Sequence, residues 1–426
     1  MLDDTTLPMN DDRLVMNRRH ALCCTGALAA GLFTSLLPRR ADAQVNPCRA
    51  ASLPSDLARH ELVLAAFDGI DASRLVDTHA HLLGNGDAGS GCSVHPASTQ
   101  WWHPVELLRR RVILNAACVP GDAVSVDGAY VERLRALGDG FPAGARWWLF
   151  AFDQACDDHG RPDPQRTTFH VPDAYAAAVA ARHERFDWVA SIHPYRDDAL
   201  ERLDAALRAG AVAIKWLPSA MNIDPRDRRC RPFYARLAAA RRPLVVHGGE
   251  EKAVPGAGRD EFGNPLLLRA ALAEGVTVVV AHAASLGQAI DLDRRSQRSR
   301  PAFDLFARLM DEADGRARLR ADISAVFQVN RREAVWHQLF ERDDWFGRLV
   351  NGSDYPLPGV LPLTSTQRLV AAGLLAPDAV EPLARMREHN PLLFDFVLKR
   401  SLRQGSRRLP AAVFEAQALQ ATVATA

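Results

Sequence analysis

The chain has 426 residues, of which 52 are Lys or Arg and 51 are Asp or Glu, so its formal net charge is +1. This balance leaves no basic surplus for binding nucleic acid or anionic lipid. Hydrophobic residues make up 48% of the chain, which is enough for a large core, and the length is typical of two or three domains or of one barrel with added segments.

The first 43 residues have the features of an export signal. Arg18 and Arg19 precede an apolar run over residues 21–37, and Ala41-Asp42-Ala43 offers a small-residue cleavage site. This segment resembles a twin-arginine signal, so we expect a periplasmic or secreted mature protein with no stable membrane association. The alternative is an uncleaved membrane anchor, for which this apolar run is barely long enough. Residues 44–71 are a lead-in to the main domain.

Five cysteines follow the expected cleavage site. They are Cys48, Cys92, Cys118, Cys156 and Cys230. An odd number leaves at least one thiol unpaired within the chain, and a pairing of Cys48 with Cys92 is one option. No C-x-x-C motif occurs, which argues against a structural zinc site built from cysteines.

The first strong structural pattern is a short apolar run at residues 75–81 that ends in D-x-H-x-H, formed by Asp77, His79 and His81. Side chains alternate between the two faces of a strand, so His79 and His81 point the same way and can place two imidazole nitrogens on one cation. Two polar histidines in a loop are the simpler alternative. The apolar residues before the motif favour a strand and half of a metal site.

A long loop rich in Gly, Ser and His follows at residues 84–99 and leads to Trp101 and Trp102. These tryptophans either belong to a substrate lid or only cover the barrel mouth. The segment 105–119 has apolar residues at helical spacing and is opened by Pro104, so we predict a helix. Its later part, from Val112 onward, could also form a strand.

Seven further apolar runs alternate with helical segments. The runs cover residues 147–153, 188–193, 211–216, 243–247, 276–282, 319–324 and 349–354, and the helical segments include 197–208, 232–240, 265–273 and 301–312. Together with residues 75–81 they make eight strands. Apolar strands that alternate with helices favour a parallel sheet covered on all sides, so we predict an α/β fold, a (β/α)8 TIM barrel over residues 72–400, followed by a tail at 401–426.

Polar residues end most of these strands. They are Asp77, His79 and His81 on the first strand, Lys215 on the fourth, His247 on the fifth, His282 on the sixth and Asp354 on the eighth. Active sites of such barrels lie at the carboxyl ends of the strands. We therefore expect these side chains to converge there, although they are far apart in the sequence.

At these strand ends the chain resembles the amidohydrolase superfamily of metal-dependent barrels, in particular its amidohydrolase-related group. The likeness rests on the D-T-H-A-H motif at 77–81, on Ile214-Lys215, on His247-Gly248-Gly249, on His282 and on Gly352-Ser353-Asp354-Tyr355-Pro356. It covers roughly residues 72–400 and includes a closing helix that begins near residue 390. The combination is specific to the superfamily and does not identify a substrate.

The resemblance implies a role for each of these positions. His79, His81 and Asp354 would bind the first divalent metal, and Asp354 would also take a proton from the attacking water. His247 would be the next ligand. His282 would either complete a second metal site or polarise the substrate carbonyl. Lys215 would either be carboxylated and bridge two cations or stay protonated and pair with Asp354 or a substrate carboxylate, so one and two metals both remain open.

Other residues are weaker candidates. Trp216, Trp102 and Glu250 would contact substrate, although Trp216 could pack behind the pocket, and Glu250 and Glu251 could be a solvated loop pair. His193 and Asp322 end strands three and seven and would serve as supporting hydrogen-bond partners. Arg331 and Arg332 could recognise an anionic group, but a basic pair in a loop usually faces solvent.

The resemblance implies a hydrolase that uses metal-activated water on a C–N or C–O bond of a small molecule. The alternative is a decarboxylase, another lyase or a lactonase, since such enzymes resemble this barrel and its metal site. A non-catalytic barrel is the third hypothesis, although binding alone does not need Asp354.

The donor atoms also indicate which metal the site would prefer. Nitrogen and oxygen donors suit zinc first, and manganese, cobalt or iron as substitutes. Because the imidazoles must be neutral to bind metal, activity should fall as the pH decreases through the histidine range near about 6.5. No oligomeric state follows from the sequence.

Overall fold

Eight parallel strands form the centre of the molecule. The computed structural model describes residues 45–419. Within this range each of the eight apolar runs overlaps one strand, so the predicted strand order is confirmed, although the strands Arg146–Phe150 and Phe186–Val189 begin before their predicted runs. The strands are β1 (Val76–His81), β2 (Arg146–Phe150), β3 (Phe186–Val189), β4 (Ile214–Trp216), β5 (Leu244–His247), β6 (Val278–Ala281), β7 (Leu319–Asp322) and β8 (Leu349–Val350).

The strands pair in sequence order around a barrel. β1, β2 and β3 form one parallel set, and β4 to β8 form a second. Isolated parallel bridges join the two sets on both sides. Backbone hydrogen bonds accompany them, with Lys215 N donating to Ala190 O at 2.7 Å and His81 N donating to Tyr355 O at 2.9 Å. The predicted (β/α)8 fold is therefore confirmed.

Helices connect consecutive strands and cover the outside of the barrel. The α-helices are Ser55–Ala58, Glu61–Phe67, Pro104–Ala116, Val126–Gly138, Asp173–Arg182, Ala199–Arg208, Pro218–Met221, Cys230–Ala240, Arg269–Ala273, Ala302–Asp311, Ala313–Arg318, Glu333–Glu341, Thr366–Ala371, Val380–His389, Pro391–Ser401 and Ala411–Phe414. Short strands outside the barrel are Ser93–Val94, Phe169–His170, Gln288–Ile290, Ser299–Pro301, Arg403–Gln404 and Arg407–Arg408.

The ambiguous segment after β1 is helical. Pro104 lies in the first turn of helix Pro104–Ala116, where its missing N–H leaves no helical hydrogen bond unmade. The helix continues through Val112, so the segment is not a ninth barrel strand. The closing helix Pro391–Ser401 also begins where the sequence predicts it, because the side chain of Asn390 accepts a hydrogen bond from Leu393 N at 3.0 Å.

The end of the described chain packs against the amino-terminal end of the barrel. Inward-facing strand residues, among them Trp148 and Val245, form a buried cluster with Ala416 and Leu419. Residue Asp71, just before β1, donates its backbone N–H to Glu415 Oε1 at 2.9 Å, which places this segment beside the start of the strands. The other end of the barrel, where the carboxyl ends of the strands meet, contains the site described below.

A disulfide joins Cys48 to Cys118, with 5.3 Å between the Cα atoms. The suggested pairing of Cys48 with Cys92 is therefore wrong, because Cys92 is buried as a free thiol, as are Cys156 and Cys230. The bond ties the segment that begins the described chain to the residues just after helix Pro104–Ala116. The expected export signal lies outside the described residues. Between residues 45 and 419 no helix has the length and apolar character needed to cross a membrane.

Candidate metal centre and active site

Three side chains from β1 and from the loop after β8 form a compact group at the carboxyl ends of the strands. His81 Nε2 lies 3.1 Å from Asp354 Oδ1, and His79 Nε2 lies 3.4 Å from the same oxygen. The ligand atoms of all three residues lie within 4.8 Å of one another. The chain therefore places two imidazoles and one carboxylate where the sequence predicts the first metal.

The orientation of His79 suits a metal ligand. Its Nδ1 lies 2.9 Å from Asp322 Oδ2, and a carboxylate only accepts, so Nδ1 carries the hydrogen and donates it. Nε2 then has a free lone pair, and it is buried without a hydrogen-bond partner. A buried polar atom left unpaired is costly unless a ligand satisfies it. This orphaned nitrogen beside Asp354 fits a divalent cation.

Asp322 and Ser324 also hold His282. Asp322 Oδ1 accepts the backbone N–H of His282 at 3.0 Å, and His282 Nδ1 lies 3.0 Å from the carbonyl oxygen of Ser324. That oxygen only accepts, so Nδ1 donates and the lone pair is on Nε2, which lies 3.9 Å from Asp354 Oδ2. Asp322 thus occupies the supporting position that the sequence suggests.

Two of these residues have strained backbones. The φ angles of His282 and Asp354 are 56° and 59°, in the left-handed region that residues with a Cβ seldom adopt. Such conformations cost energy and are found mostly where the surrounding structure requires them, often at active sites. The strain is therefore consistent with a requirement for these side chains at these positions.

His247 lies beside His282, with 5.2 Å between the ring centroids. Its Nδ1 is 3.2 Å from Glu251 Oε2, and its Nε2 is 3.4 Å from the carbonyl oxygen of Glu250. The side chain of Glu251 is buried against this ring, whereas that of Glu250 is partly exposed and pairs with Lys252 at 3.3 Å. Glu251 therefore supports a histidine, and it is not the solvated loop residue that charge alone suggests.

Lys215 is almost fully buried at the end of β4. Its Nζ lies 4.9 Å from the centroid of the Phe150 ring, and within the described part of the chain it forms no ion pair with Asp354 or any other carboxylate. Burial lowers its pKa to about 8. An appreciable fraction of the amine is therefore neutral near physiological pH, which is the form that can react with carbon dioxide.

The protonation states of the group are those that a metal requires. Burial lowers the pKa of His79, His247 and His282, so these imidazoles are neutral at physiological pH. Burial opposes ionisation of Asp354, but the nearby rings of His282 and His81 hold the pKa of its carboxyl far below the usual value. Neutral imidazoles beside an ionised carboxylate can bind a cation without first losing protons.

A cavity of about 630 Å³ opens above these residues. The metal-type side chains form its floor, and Glu250, Glu251 and Arg331 contribute polar groups to its wall. Much of the remaining wall is apolar and includes Leu83, Ile113, Phe152, Phe169, Leu286 and Leu363. The cavity is large enough for a small molecule with an apolar body.

A model of a family described as amidohydrolase matches residues 76–392. The chain belongs to this family. The match begins at the first residue of β1 and includes every candidate metal ligand named above. The resemblance read from the sequence is therefore confirmed, and so is the expectation of a metal-dependent enzyme.

Several solved structures are similar to this chain. An uncharacterised TIM-barrel protein from Bordetella bronchiseptica has 17% identity and a TM-score of 0.43, over 75% of this chain and 99% of that chain. A probable 2-pyrone-4,6-dicarboxylic acid hydrolase from Acinetobacter baumannii has 12% identity and a TM-score of 0.40, over 70% and 91%. A 4-oxalomesaconate hydratase from Rhodopseudomonas palustris has 12% identity and a TM-score of 0.41, over 82% and 98%. No curated protein matches the chain.

Two of the suggested substrate contacts do not lie in the cavity. Trp216 is fully buried behind β4, where its Nε1 donates to Ile192 O at 2.9 Å and its ring packs against Phe233 and Tyr234. Trp102 is 56% exposed and is not part of the cavity wall. Glu250 does line the cavity, as suggested.

Of the weaker candidates His193, Arg331 and Arg332, only Arg331 lines the cavity. His193 is buried away from the cavity, with Nε2 2.7 Å from the carbonyl oxygen of Met221. Arg332 faces solvent and pairs with Asp304 at 2.8 Å, as expected for a basic loop residue. Arg331 is only 7% exposed and lines the cavity. The expectation that a basic loop pair faces solvent is therefore correct for Arg332 and wrong for Arg331.

Proposed function

We propose that this protein is an exported hydrolase that acts on a C–N or C–O bond of a small molecule with the help of a divalent metal. The observation that carries this proposal is the arrangement of His79, whose Nδ1 is fixed by Asp322 and whose buried Nε2 has no partner beside His81 and Asp354. His79, His81 and Asp354 would hold the first cation. Imidazole and carboxylate donors suit zinc best.

When bound, a divalent cation supplies Lewis acidity and water of lowered pKa. Asp354 is held in its ionised form, so it can accept a proton from the attacking water and return it to the leaving group. His282 presents a lone pair at Nε2, because its Nδ1 donates to Ser324. In its neutral form it therefore suits the role of a ligand better than that of a hydrogen-bond donor to a substrate carbonyl.

A second cation would use His247 and His282, with Lys215 carboxylated to bridge the two ions. The buried amine of Lys215, which has no carboxylate partner in the described chain, supports this reading over a lysine paired with Asp354. Metal content per chain, measured by mass spectrometry for wild type and Lys215→Ala, tests it. Two ions in the wild type and one in the variant are expected. One tight ion in both would exclude the bridge.

A decarboxylase is the second candidate. The buried cationic side chains of Lys215 and Arg331 lie in the wall of the cavity that holds the metal-type residues, which is a setting that can orient a carboxylate for release. Detection of carbon dioxide from carboxylated substrates, without hydrolysis, would favour this reaction. Hydrolysis of an ester, lactone or amide without carbon dioxide would favour the first proposal.

Export is supported by the twin-arginine-like segment and by the disulfide that follows it closely. Disulfides persist mainly in oxidising compartments, and Cys48 pairs with Cys118 just beyond the expected cleavage site. The test is to fuse residues 1–50 to a passenger protein and replace both Arg18 and Arg19 by Lys. Loss of export is expected, and unchanged export would contradict a twin-arginine route.

The hydrolytic proposal is tested with zinc-loaded protein on a panel of esters, lactones and amides. His79→Ala and Asp354→Asn should each abolish turnover, the first through loss of metal and the second mainly through loss of the base. Asp304→Asn is the matched control, because Asp304 is an exposed aspartate paired with Arg332. Wild-type activity in His79→Ala or Asp354→Asn would refute the assignment.

A further inference from the structure

Arg331 is a buried cation in the wall of the active-site cavity. Arg331 lies in the loop after β7, and it is 7% exposed. Its Nε is buried without a hydrogen-bond partner, and Nη1 donates to Asn330 Oδ1 at 3.2 Å. A guanidinium offers five N–H donors, so within the described chain most of its hydrogen-bonding capacity is unused.

The backbone that carries Arg331 is held firmly. Arg331 N donates to Gln328 O at 3.1 Å, and Val329 N donates to Leu363 O at 2.8 Å. Arg368 donates to the carbonyl oxygens of Val329 and Arg331, and its guanidinium packs over the Trp336 ring at 4.7 Å. The guanidinium of Arg331 is therefore attached to a fixed loop, as a preorganised binding group requires.

Three carboxylates of the cavity, those of Asp354, Glu250 and Glu251, raise the pKa of Arg331 from a distance but have other partners. Asp354 contacts three histidines, Glu251 lies against His247 and accepts hydrogen bonds from its own loop, and Glu250 pairs with Lys252. Among the residues from 45 to 419, no carboxylate lies within ion-pair distance of Arg331. Burial lowers its pKa to about 10, so the group still carries its charge at neutral pH.

A buried charge that makes no ion pair destabilises the folded protein, and a bound anion reduces that cost. Among anions, a carboxylate matches the planar guanidinium and can accept two parallel hydrogen bonds. The cavity wall also contains apolar residues, among them Ile113, Phe152 and Leu286, which suit an aromatic or aliphatic body.

We infer that Arg331 binds a carboxylate group of the substrate and that the substrate is an organic acid with an apolar body. This inference rests on the proposed function, because it takes the cavity above the metal-type residues to be the substrate site. Arg331 is then a specificity-determining residue, which fixes one end of the substrate while the reacting bond lies over His79, His81 and Asp354.

The test measures binding of benzoate and hexanoate, and of the uncharged analogue benzamide, by calorimetry with zinc-loaded and metal-free protein. The variants are Arg331→Gln, Arg331→Lys and the control Arg332→Gln, which removes the neighbouring exposed charge. In Arg331→Gln the Kd of the carboxylates should rise about 10- to 100-fold, while benzamide binding is unchanged. Arg331→Lys should recover part of the affinity, and Arg332→Gln should match the wild type.

Equal carboxylate affinity in wild type and Arg331→Gln would overturn the inference, and so would a wild type that binds neither acid. Zinc content and the melting temperature of each variant show whether the site and the fold are intact. The outcome is independent of turnover. Arg331-dependent binding of the acids, with no hydrolysis of any ester, lactone or amide in the panel, would support the inference and contradict the hydrolase. Hydrolysis of neutral and acidic substrates alike, unaffected by Arg331→Gln, would support the hydrolase and contradict the inference.

Discussion

Replacing Asp322 by Asn tests how the protein prepares His79 to bind metal. Oδ1 of Asp322 accepts the backbone N–H groups of His282 and Ser324, both at 3.0 Å, and Oδ2 accepts Nδ1–H of His79. An Asn with its oxygen in the Oδ1 position keeps the first two bonds. Its NH2 group then faces His79, which must move its proton to Nε2 to accept. Nε2 is the nitrogen that the metal needs.

The expected effect is on metal affinity and not on the fold. Loss of a hydrogen-bond partner that orients a metal-binding histidine weakens metal affinity by about 10- to 100-fold, which corresponds to about 1.4–2.7 kcal/mol. Asp322→Ala should be more harmful, because it also leaves two buried backbone N–H groups unpaired, at about 1–3 kcal/mol each.

The assay is zinc titration against a chelator of known affinity, with circular dichroism to verify the fold. Asp304→Asn provides the control, since it makes the same chemical change at an exposed carboxylate. Zinc affinity of Asp322→Asn equal to that of the wild type, in a folded protein, would refute the argument that Asp322 sets the proton position of His79.

Three further predictions concern stability and pH. Lys399→Met should destabilise the protein by about 3–5 kcal/mol in urea unfolding, because the mostly buried Asp395 carboxylate loses the ammonium group 2.6 Å away. Adding Asp395→Leu should recover part of the loss. Burial lowers the pKa of His247 and His282, so the unfolded chain takes up protons first as the pH falls. The melting temperature of metal-free protein should therefore decrease below about pH 6.5, and zinc release should have its midpoint below that value. Cys48→Ser should lower the unfolding free energy by about 4 kcal/mol, since the disulfide closes a loop of 70 residues.

The strand ends were the most predictable part of the site. Each candidate ligand follows an apolar run of strand length, and the barrel topology brings the carboxyl ends of its strands together. The prediction therefore needed only the strand count and order, which depend on local patterns. The pH dependence of activity stays a prediction, and burial, which lowers the pKa of His79, His247 and His282, moves the expected loss of activity below the ordinary histidine value of about 6.5.

Whether Trp216 contacts substrate or packs behind the pocket was left open, although strand geometry decides between the two. Lys215 and Trp216 are adjacent in β4, so their side chains point to opposite faces, and a lysine that faces the cavity requires a tryptophan that faces the helices. Arg331, Glu251 and the partner of Cys48 are different cases. They lie in loops or at segment ends, where no periodicity fixes the direction of a side chain, and their burial or pairing depends on contacts with distant parts of the chain.

The central claim is that His79, His81 and Asp354 bind a catalytic divalent cation. A crystal of zinc-loaded protein, with anomalous data collected on both sides of the zinc absorption edge, tests this most directly. The account predicts an anomalous peak bonded to His79 Nε2, to His81 and to the Asp354 carboxylate, at about 2.0–2.2 Å from each. A fully loaded, active protein whose zinc peak lies elsewhere, or whose His79 Nε2 has no metal neighbour, would contradict it.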